Sequence, residues 1–188
     1  MFYQRYFKSV FDFCIGIILL LCLWWLMVFI AVAILFKDGR PILFKQQRIG
    51  QYGMPFMILK FRTMVNNAES AGKSTSINDA RITAFGHLLR KTSLDELPQI
   101  FNVLRGDMSF VGYRPGVRED YDESDFTSGL FNVKPGITGY AQVNGRSNLT
   151  INEKRCWELK YVKDISFFAD IKILIKTLIV VLRRSNSN

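Results

Sequence analysis

A single histidine and three cysteines in 188 residues remove several chemistries at the outset. Cys14 and Cys22 lie inside an apolar run and Cys156 stands alone, so neither a disulfide framework nor a cysteine-based metal site is suggested. That scarcity is consistent with a reducing, cytosol-facing domain. With His87 the only imidazole, a histidine-rich zinc centre is excluded and a Ser-His-Asp triad is disfavoured. In Phe85-Gly86-His87-Leu88-Leu89 it reads as a packed helix residue. The chain also lacks internal repeats, low-complexity tracts and any Pro/Gly/Ser-rich linker, so about 150 residues beyond the N-terminal segment form one domain.

Acid is in short supply. Sixteen acidic residues face 25 basic ones, for a net charge of +9. The excess is spread through Lys45, Arg48, Lys60, Arg62, Arg90, Lys91, Arg105, Arg114 and Arg118 rather than packed into one tail. Such a field suits anionic lipid head groups, phosphorylated substrates or nucleic acid.

Charge is missing altogether from Phe13 to Phe36, between Asp12 and Lys37. As a helix that run is roughly 36 Å long, enough to enter a bilayer. A secretory signal peptide has a shorter apolar core of about 7 to 15 residues and a small-residue cleavage site. Lys37-Asp38-Gly39-Arg40-Pro41 offers none. Residues 1–37 are therefore expected to be membrane-embedded, which favours lipid and phosphorylated substrates over nucleic acid, for which no reader motif is present.

Past the membrane run, Ile42-Leu43-Phe44 and Phe56-Met57-Ile58-Leu59 flank Gly50-Gln51-Tyr52-Gly53 and read as a β-hairpin. Its second strand would deliver Lys60 and Arg62 to one face, since side chains two apart point the same way. That arrangement suits a phosphate or, equally, a solvated strand face. Gly72-Lys73-Ser74 imitates the end of a P-loop, but Asn67 stands where the motif needs its first glycine. Ile82, Phe85, Leu88 and Leu89 have helical spacing and bring Arg90 to that helix's end.

Asp95 and Glu96 then stand side by side at the start of a probable helix. Ser93 with Glu96 three later has the form of a capping box. Pro98 fits better if Asp95 is the cap, because proline is tolerated in a first turn. Capping and catalysis are both open on local grounds. Ile100, Phe101, Val103 and Leu104 give the apolar face of a short helix, Gly106-Asp107 stops it, and Met108 to Gly112 reads as a buried strand leading to Arg114. Arg90 and Arg114 thus bracket the acidic pair, with Asp107 as a third carboxylate; both signs of charge together can hold a metal ion and a polyphosphate.

Glycines 136, 139 and 145 in VKPGITGYAQVNGR suit close approach to a ligand or a chain of tight turns. The sequon Asn148-Leu149-Thr150 has no use if the domain stays in the cytosol. Phe168, Ile171, Leu174, Ile175, Leu178, Ile179 and Leu182 line one side of a helix over 165–184 bordered by Lys172, Lys176, Arg183 and Arg184, fit either for the head-group layer or for closing the core.

The segments KFRTM (60–64), LDELPQIFNVLRGDMSFVGYRP (94–115) and PGITGYAQVNGR (135–146) resemble the small monotopic bacterial phosphoglycosyl transferases, and the likeness covers nearly the whole chain. The resemblance implies transfer of sugar-1-phosphate from a UDP-sugar to undecaprenyl phosphate with release of UMP, at the cytoplasmic face of the bacterial inner membrane. It implies Asp95 as the nucleophile that forms a phosphosugar-enzyme intermediate, Glu96 in a Mg2+ site with Asp95 and Asp107, and Arg62, Arg90 and Arg114 as phosphate-binding cations. Lys60 and Arg146 are further substrate-binding candidates. Two departures stand out. Tyr113-Arg114-Pro115 replaces the family's Pro-Arg-Pro, so a less rigid loop is expected. Trp24-Trp25 replaces the Ser-Pro pair that breaks the family's membrane helix and returns it to the same side.

The expectation is thus an α+β, helix-rich chain: a membrane-embedded, re-entrant helix over 1–37, a short β-hairpin, and a cytoplasmic catalytic domain over 38–188 that includes the interfacial amphipathic helix. The rival is a non-catalytic basic membrane scaffold for glycan-assembly enzymes, which would release no UMP. Glucose, galactose, N-acetylhexosamine and diamino-sugar donors all remain open.

Overall fold

A computed structural model describes residues 3–66, 68, 79–145 and 148–186. The Gly72-Lys73-Ser74 segment and Arg146 lie outside the described residues, as do the side chains of Arg5, Arg183 and Arg184. After a π-helical turn at Tyr3–Phe7, the apolar run forms one helix, α1 (Lys8–Lys37). No interior break interrupts it, and the Trp25 indole N–H donates to the Cys22 carbonyl at 2.8 Å. Its buried positions, Lys8, Asp12, Gly16, Met27, Ile30 and Ile34, share one stripe at helical spacing. That stripe lies against the rest of the chain at both ends of the helix. Gly16 meets Leu104 and Val103, while Met27, Ile30 and Ile34 pack with Phe61 and Leu89. The opposite side, including Val10, Leu21, Trp24, Trp25, Phe29 and Phe36, is exposed.

The hairpin forms as expected. β1 (Leu43–Ile49) pairs antiparallel with β2 (Pro55–Phe61), Phe44 opposite Lys60. Helix α2 (Ala84–Thr92) starts at Thr83, whose hydroxyl accepts the Gly86 N–H at 2.9 Å. Gly86 and Leu89 occupy its buried side. His87 is exposed on the other, so it is helical but not packed, and Leu88 is exposed with it. A Cβ at Gly86 would lie 2.1 Å from the Thr63 carbonyl oxygen; this backbone-on-backbone contact seats α2 directly on the chain leaving β2.

Helix α3 (Gln99–Arg105) leads to β3 (Ser109–Val111), which pairs in parallel with β4 (Gly136–Thr138). The glycine-rich segment serves that crossing: a Cβ on Gly136 would fall 2.0 Å from the Gly112 nitrogen. Neither a ligand nor a run of turns accounts for this glycine; two backbones touch there. The remaining helices are α4 (Glu123–Thr127), α5 (Tyr140–Val143), α6 (Ile151–Asp164) and α7 (Phe167–Asn186). Thr150 of the sequon is the N-cap of α6 and forms a capping box with Glu153. Both readings of the last helix hold on different faces. Asp170 and Ile173 are buried, whereas Phe168, Ile175, Leu178, Ile179 and Leu182 are exposed.

The main core joins Ile58, Val103, Met108, Phe110, Val111, Tyr161 and Ile173, with Ile15 and Leu19 of α1 packed against it. Burying a side chain of this kind is worth about 1.5–3 kcal/mol, so the N-terminal helix is part of the fold.

Candidate active site

The acidic pair does not open a helix. Leu94–Glu96 form a single 3-10 turn between α2 and α3. Ser93 sits in the left-handed region, φ 59°, closing α2, and its side chain caps nothing at the turn. The reason is Pro98. An α-helix through this stretch would need an N–H from residue 98 to the Leu94 carbonyl, which proline lacks. The Leu97 N–H takes that carbonyl instead, at 3.3 Å, and α3 begins only at Gln99 behind Pro98. The capping readings of Ser93 and Asp95 are corrected accordingly.

Three elements converge on the turn. From β2, the Lys60 ammonium lies 2.7 Å from Glu96 Oε1; from the segment after β3, the Arg114 guanidinium lies 2.9 Å from the same oxygen. Lys60 is largely sheltered, whereas the Arg114 side chain is 51% exposed, so solvent weakens the second pair more than the first. Burial opposes ionisation of Glu96, yet Arg114 and Lys60 together hold its carboxyl well below the usual carboxylate range. Asp95 behaves oppositely. Burial, and then the adjacent Glu96 charge, push its carboxyl up, against Lys60, Arg90 and Arg114, which favour the anion. Arg90 comes from the end of α2, and its Nε donates to Thr63 Oγ1 at 2.8 Å.

A small cleft opens beside this cluster, lined by Arg48, Lys60, Gln99 and Arg114 among others. A second cavity, by contrast, lies at the other end of α3 and touches neither acid.

Two of the residues expected at the site are used elsewhere. Arg62 is buried and donates to the carbonyls of Arg40 (2.7 Å), Gly39 (2.9 Å) and Asp38, and to Asn66. It clamps the chain leaving α1 through three successive backbone carbonyls just past the helix end. Asp107 accepts from Asn102 Nδ2 at 3.2 Å. Asn102, fully buried, also stitches α3 to β2 through the Leu59 N–H (3.0 Å) and the Met57 carbonyl (2.8 Å). Among the described residues no three His, Cys, Asp or Glu side chains gather to hold a metal, so the expected trio of Asp95, Glu96 and Asp107 is not assembled.

The departure at Tyr113 does not loosen its loop. Tyr113 is fully buried, its hydroxyl donates to the Ile49 carbonyl at 3.2 Å, and it bridges Pro135. Sequence reasoning also missed Glu158. Its Oε1 accepts the Arg114 backbone N–H at 3.1 Å, and its Oε2 takes Arg155 at 2.8 Å. Nothing but a buried position on α6, 44 residues away, distinguishes it.

The site is thus a sheltered acid pair approached by three cations, on a small domain that carries a helix long and apolar enough to cross a membrane. The family model of the bacterial sugar transferases matches residues 3–184, and the chain belongs to that family. It is 42% identical over 173 residues to the uncharacterized sugar transferase EpsL of Bacillus subtilis, covering 90% of this chain and 84% of that one. The undecaprenyl-phosphate galactose phosphotransferase of Salmonella typhimurium is 38% identical over 201 residues (98% of this chain, 42% of that protein). The UDP-glucose:undecaprenyl-phosphate glucose-1-phosphate transferase of Xanthomonas campestris is 40% identical over 186 residues (93% and 38%). The chain thus spans less than half the length of these last two.

Proposed function

We propose that this transferase moves a sugar-1-phosphate from a UDP-sugar to undecaprenyl phosphate at the cytoplasmic face of the inner membrane, releasing UMP and starting glycan assembly. The observation that carries the reading is the unequal treatment of two neighbouring acids. Glu96 is neutralised by Lys60 and Arg114, whereas no donor among the described residues binds the Asp95 carboxylate, which makes it available as a nucleophile.

An Asp95 carboxylate oxygen attacks the sugar-bearing phosphorus. A P–O bond forms as the P–O bond to UMP breaks, and UMP leaves with the bridging oxygen. An oxygen of undecaprenyl phosphate then attacks the same phosphorus and restores Asp95. The obstacle is electrostatic. One pair of like charges at ~4 Å costs about 4 kcal/mol at an effective dielectric near 20, and about 1.4 kcal/mol is a factor of ten in rate. Lys60, Arg90 and Arg114 oppose that repulsion. Arg146 remains a candidate for the same task.

A magnesium ion fits this donor set in a limited way. Mg2+ is held by one or two carboxylates plus substrate phosphates rather than by an all-protein cage. Burial and like charge disfavour the Asp95 anion, which a divalent cation on Asp95 and Glu96 would relieve. When bound, the metal supplies charge neutralisation for the diphosphate.

The membrane-facing part of the reading rests on α1. Lys8 and Asp12 near its start and Met27 to Ile34 near its end pack on the same domain. An unbroken helix tethered at both ends to one domain supports membrane contact from one side, without the interior break that turns a re-entrant helix back. An N-terminal tag should accordingly stay inaccessible from the periplasmic side of intact cells; labelling there would overturn the topology. The test of the activity is a UMP-release screen over UDP-sugars with undecaprenyl phosphate in nanodiscs. Release with at least one donor, dependent on the acceptor or matched by a phosphosugar mass on Asp95, is expected; absence of release from every UDP-sugar would favour the scaffold.

A further inference from the structure

A cavity of about 330 Å³, away from the acid pair, has no part in the proposed reaction. It opens between the first turns of α1 and the C-terminal end of α3. Its walls divide by chemistry. Val10 and Phe13 on one side and Leu104 on the other are apolar, and Arg105 and Lys134 stand at the domain end. Among the described residues neither cation has a carboxylate within ion-pair distance. The carboxylate in the wall, Asp12, is only 4% exposed and already answered, lying 3.9 Å from the Lys8 ammonium and accepting the Phe110 N–H at 3.4 Å.

The apolar wall continues without interruption onto the exposed face of α1, through Val10, Phe13, Ile17 and Leu21. A molecule with long apolar chains along α1 and an anionic head group between Arg105 and Lys134 would match both halves. Lys134 reaches this end of α3: a Cβ built on Gly106 would lie 3.6 Å from its ammonium, an ordinary contact. Helix α3, roughly 10 Å long, separates Arg105 from the acid pair, so a head group held here lies out of reach of Asp95.

We propose that this cavity binds one anionic phospholipid of the host leaflet, with its phosphate on Arg105 and Lys134 and its acyl chains on α1. The bound lipid would fix the depth and tilt of the enzyme in the membrane. The proposal rests on α1 lying at the membrane face, and its test keeps the two apart.

The full chain would be reconstituted in nanodiscs of mixed phosphatidylglycerol and phosphatidylcholine, extracted gently into detergent, and its retained lipid counted by native mass spectrometry. About one phosphatidylglycerol per chain is expected, enriched roughly thirtyfold over phosphatidylcholine, the order of effect two cations give at a lipid surface. The double variant Arg105→Gln/Lys134→Gln should return that ratio to the bulk value while still floating with vesicles. Undiminished enrichment in the double variant, or no head-group preference in a wild-type protein that does float, overturns the site. Displacement of the retained lipid by one equivalent of undecaprenyl phosphate would assign the cavity to the acceptor and overturn the phospholipid. Failure of the wild type to float at all would instead overturn the membrane reading and this inference with it.

Discussion

Two sheltered charge clusters in this molecule contain the same kinds of residue and differ in how completely they are paired. At the foot of α1, Asp170 is fully buried; Lys8 (2.6 Å) and the Tyr3 hydroxyl (2.7 Å) reach its Oδ2, and the Tyr161 hydroxyl (2.7 Å) its Oδ1. Each carboxylate oxygen is satisfied, and the cluster binds three distant parts of the chain together. At the turn between α2 and α3, both cations that form ion pairs there among the described residues fall on one acid, Glu96, and among those residues its neighbour Asp95 has charge nearby but no donor in place. A closed cluster serves architecture. An incomplete one retains the capacity to bind and react.

If that contrast is right, removing the reactive acid should abolish chemistry and spare the fold, and removing the architectural acid should do the reverse. Asp95→Asn should lower turnover by about four orders of magnitude or more, the scale of losing a covalent nucleophile, and should eliminate any phosphosugar adduct seen by intact mass. Its unfolding midpoint should stay near wild type. Asp170→Ala leaves Lys8 as a buried charge without its closest partner and should destabilise by about 3–5 kcal/mol, measurable by denaturant unfolding in detergent. A variant that keeps wild-type stability would show that the α1 anchor is not where its cohesion lies.

How much of this was legible beforehand depended on the range of the interactions. The membrane helix, the hairpin and α2 announce themselves through absent charge, turn residues and periodicity, all local signals. The acidic pair with Arg90 and Arg114 on either side was legible too, as a constellation. Its backbone was not, because Ser93-x-x-Glu96 spells a capping box while the missing N–H of Pro98 forbids the helix that box would start. Arg62 shares a strand face with Lys60 in the sequence pattern, yet the carbonyls of Asp38, Gly39 and Arg40 just past α1 capture it. Residues joined only by tertiary packing gave no signal: the parallel pairing of three-residue strands β3 and β4, the hold of Asn102 on Met57 and Leu59 of β2, and the contact of Glu158 with Arg114.

A pH experiment sharpens the comparison inside the dyad. In the proposed mechanism Asp95 attacks as the anion, and its carboxyl is pushed up by burial and by Glu96; the acid limb of kcat/KM should therefore lie above the ordinary aspartate value of about 4. Glu96→Gln removes the like charge and frees Lys60 and Arg114 to face Asp95. Both changes favour the Asp95 anion, so the limb should move to lower pH even as the maximal rate falls through weaker metal and donor binding. A limb that stays in place, or moves up, would mean that Asp95 is not the titrating group. Chelator should depress wild-type activity more than that of Glu96→Gln if Glu96 belongs to the metal site.

The smallest effect expected is also the most informative about how an incomplete cluster is held ready. Glu158 touches no reacting group; it accepts the Arg114 backbone N–H and is itself held by Arg155, which also pairs with Asp125 at 2.7 Å. It is a positioning residue. Glu158→Gln keeps an oxygen acceptor for the Arg114 N–H but weakens the hold of Arg155, a change of about 1 kcal/mol, or roughly fivefold in donor KM. Glu158→Ala deprives the N–H of its acceptor and should raise donor KM further, with kcat falling as Arg114 loses its place beside Glu96. A purely structural role would lower stability in both variants and leave KM and the acid limb of the rate profile unmoved. The graded KM response, partly rescued by the glutamine, is what distinguishes a residue that aims Arg114 from one that merely fills the space beneath it.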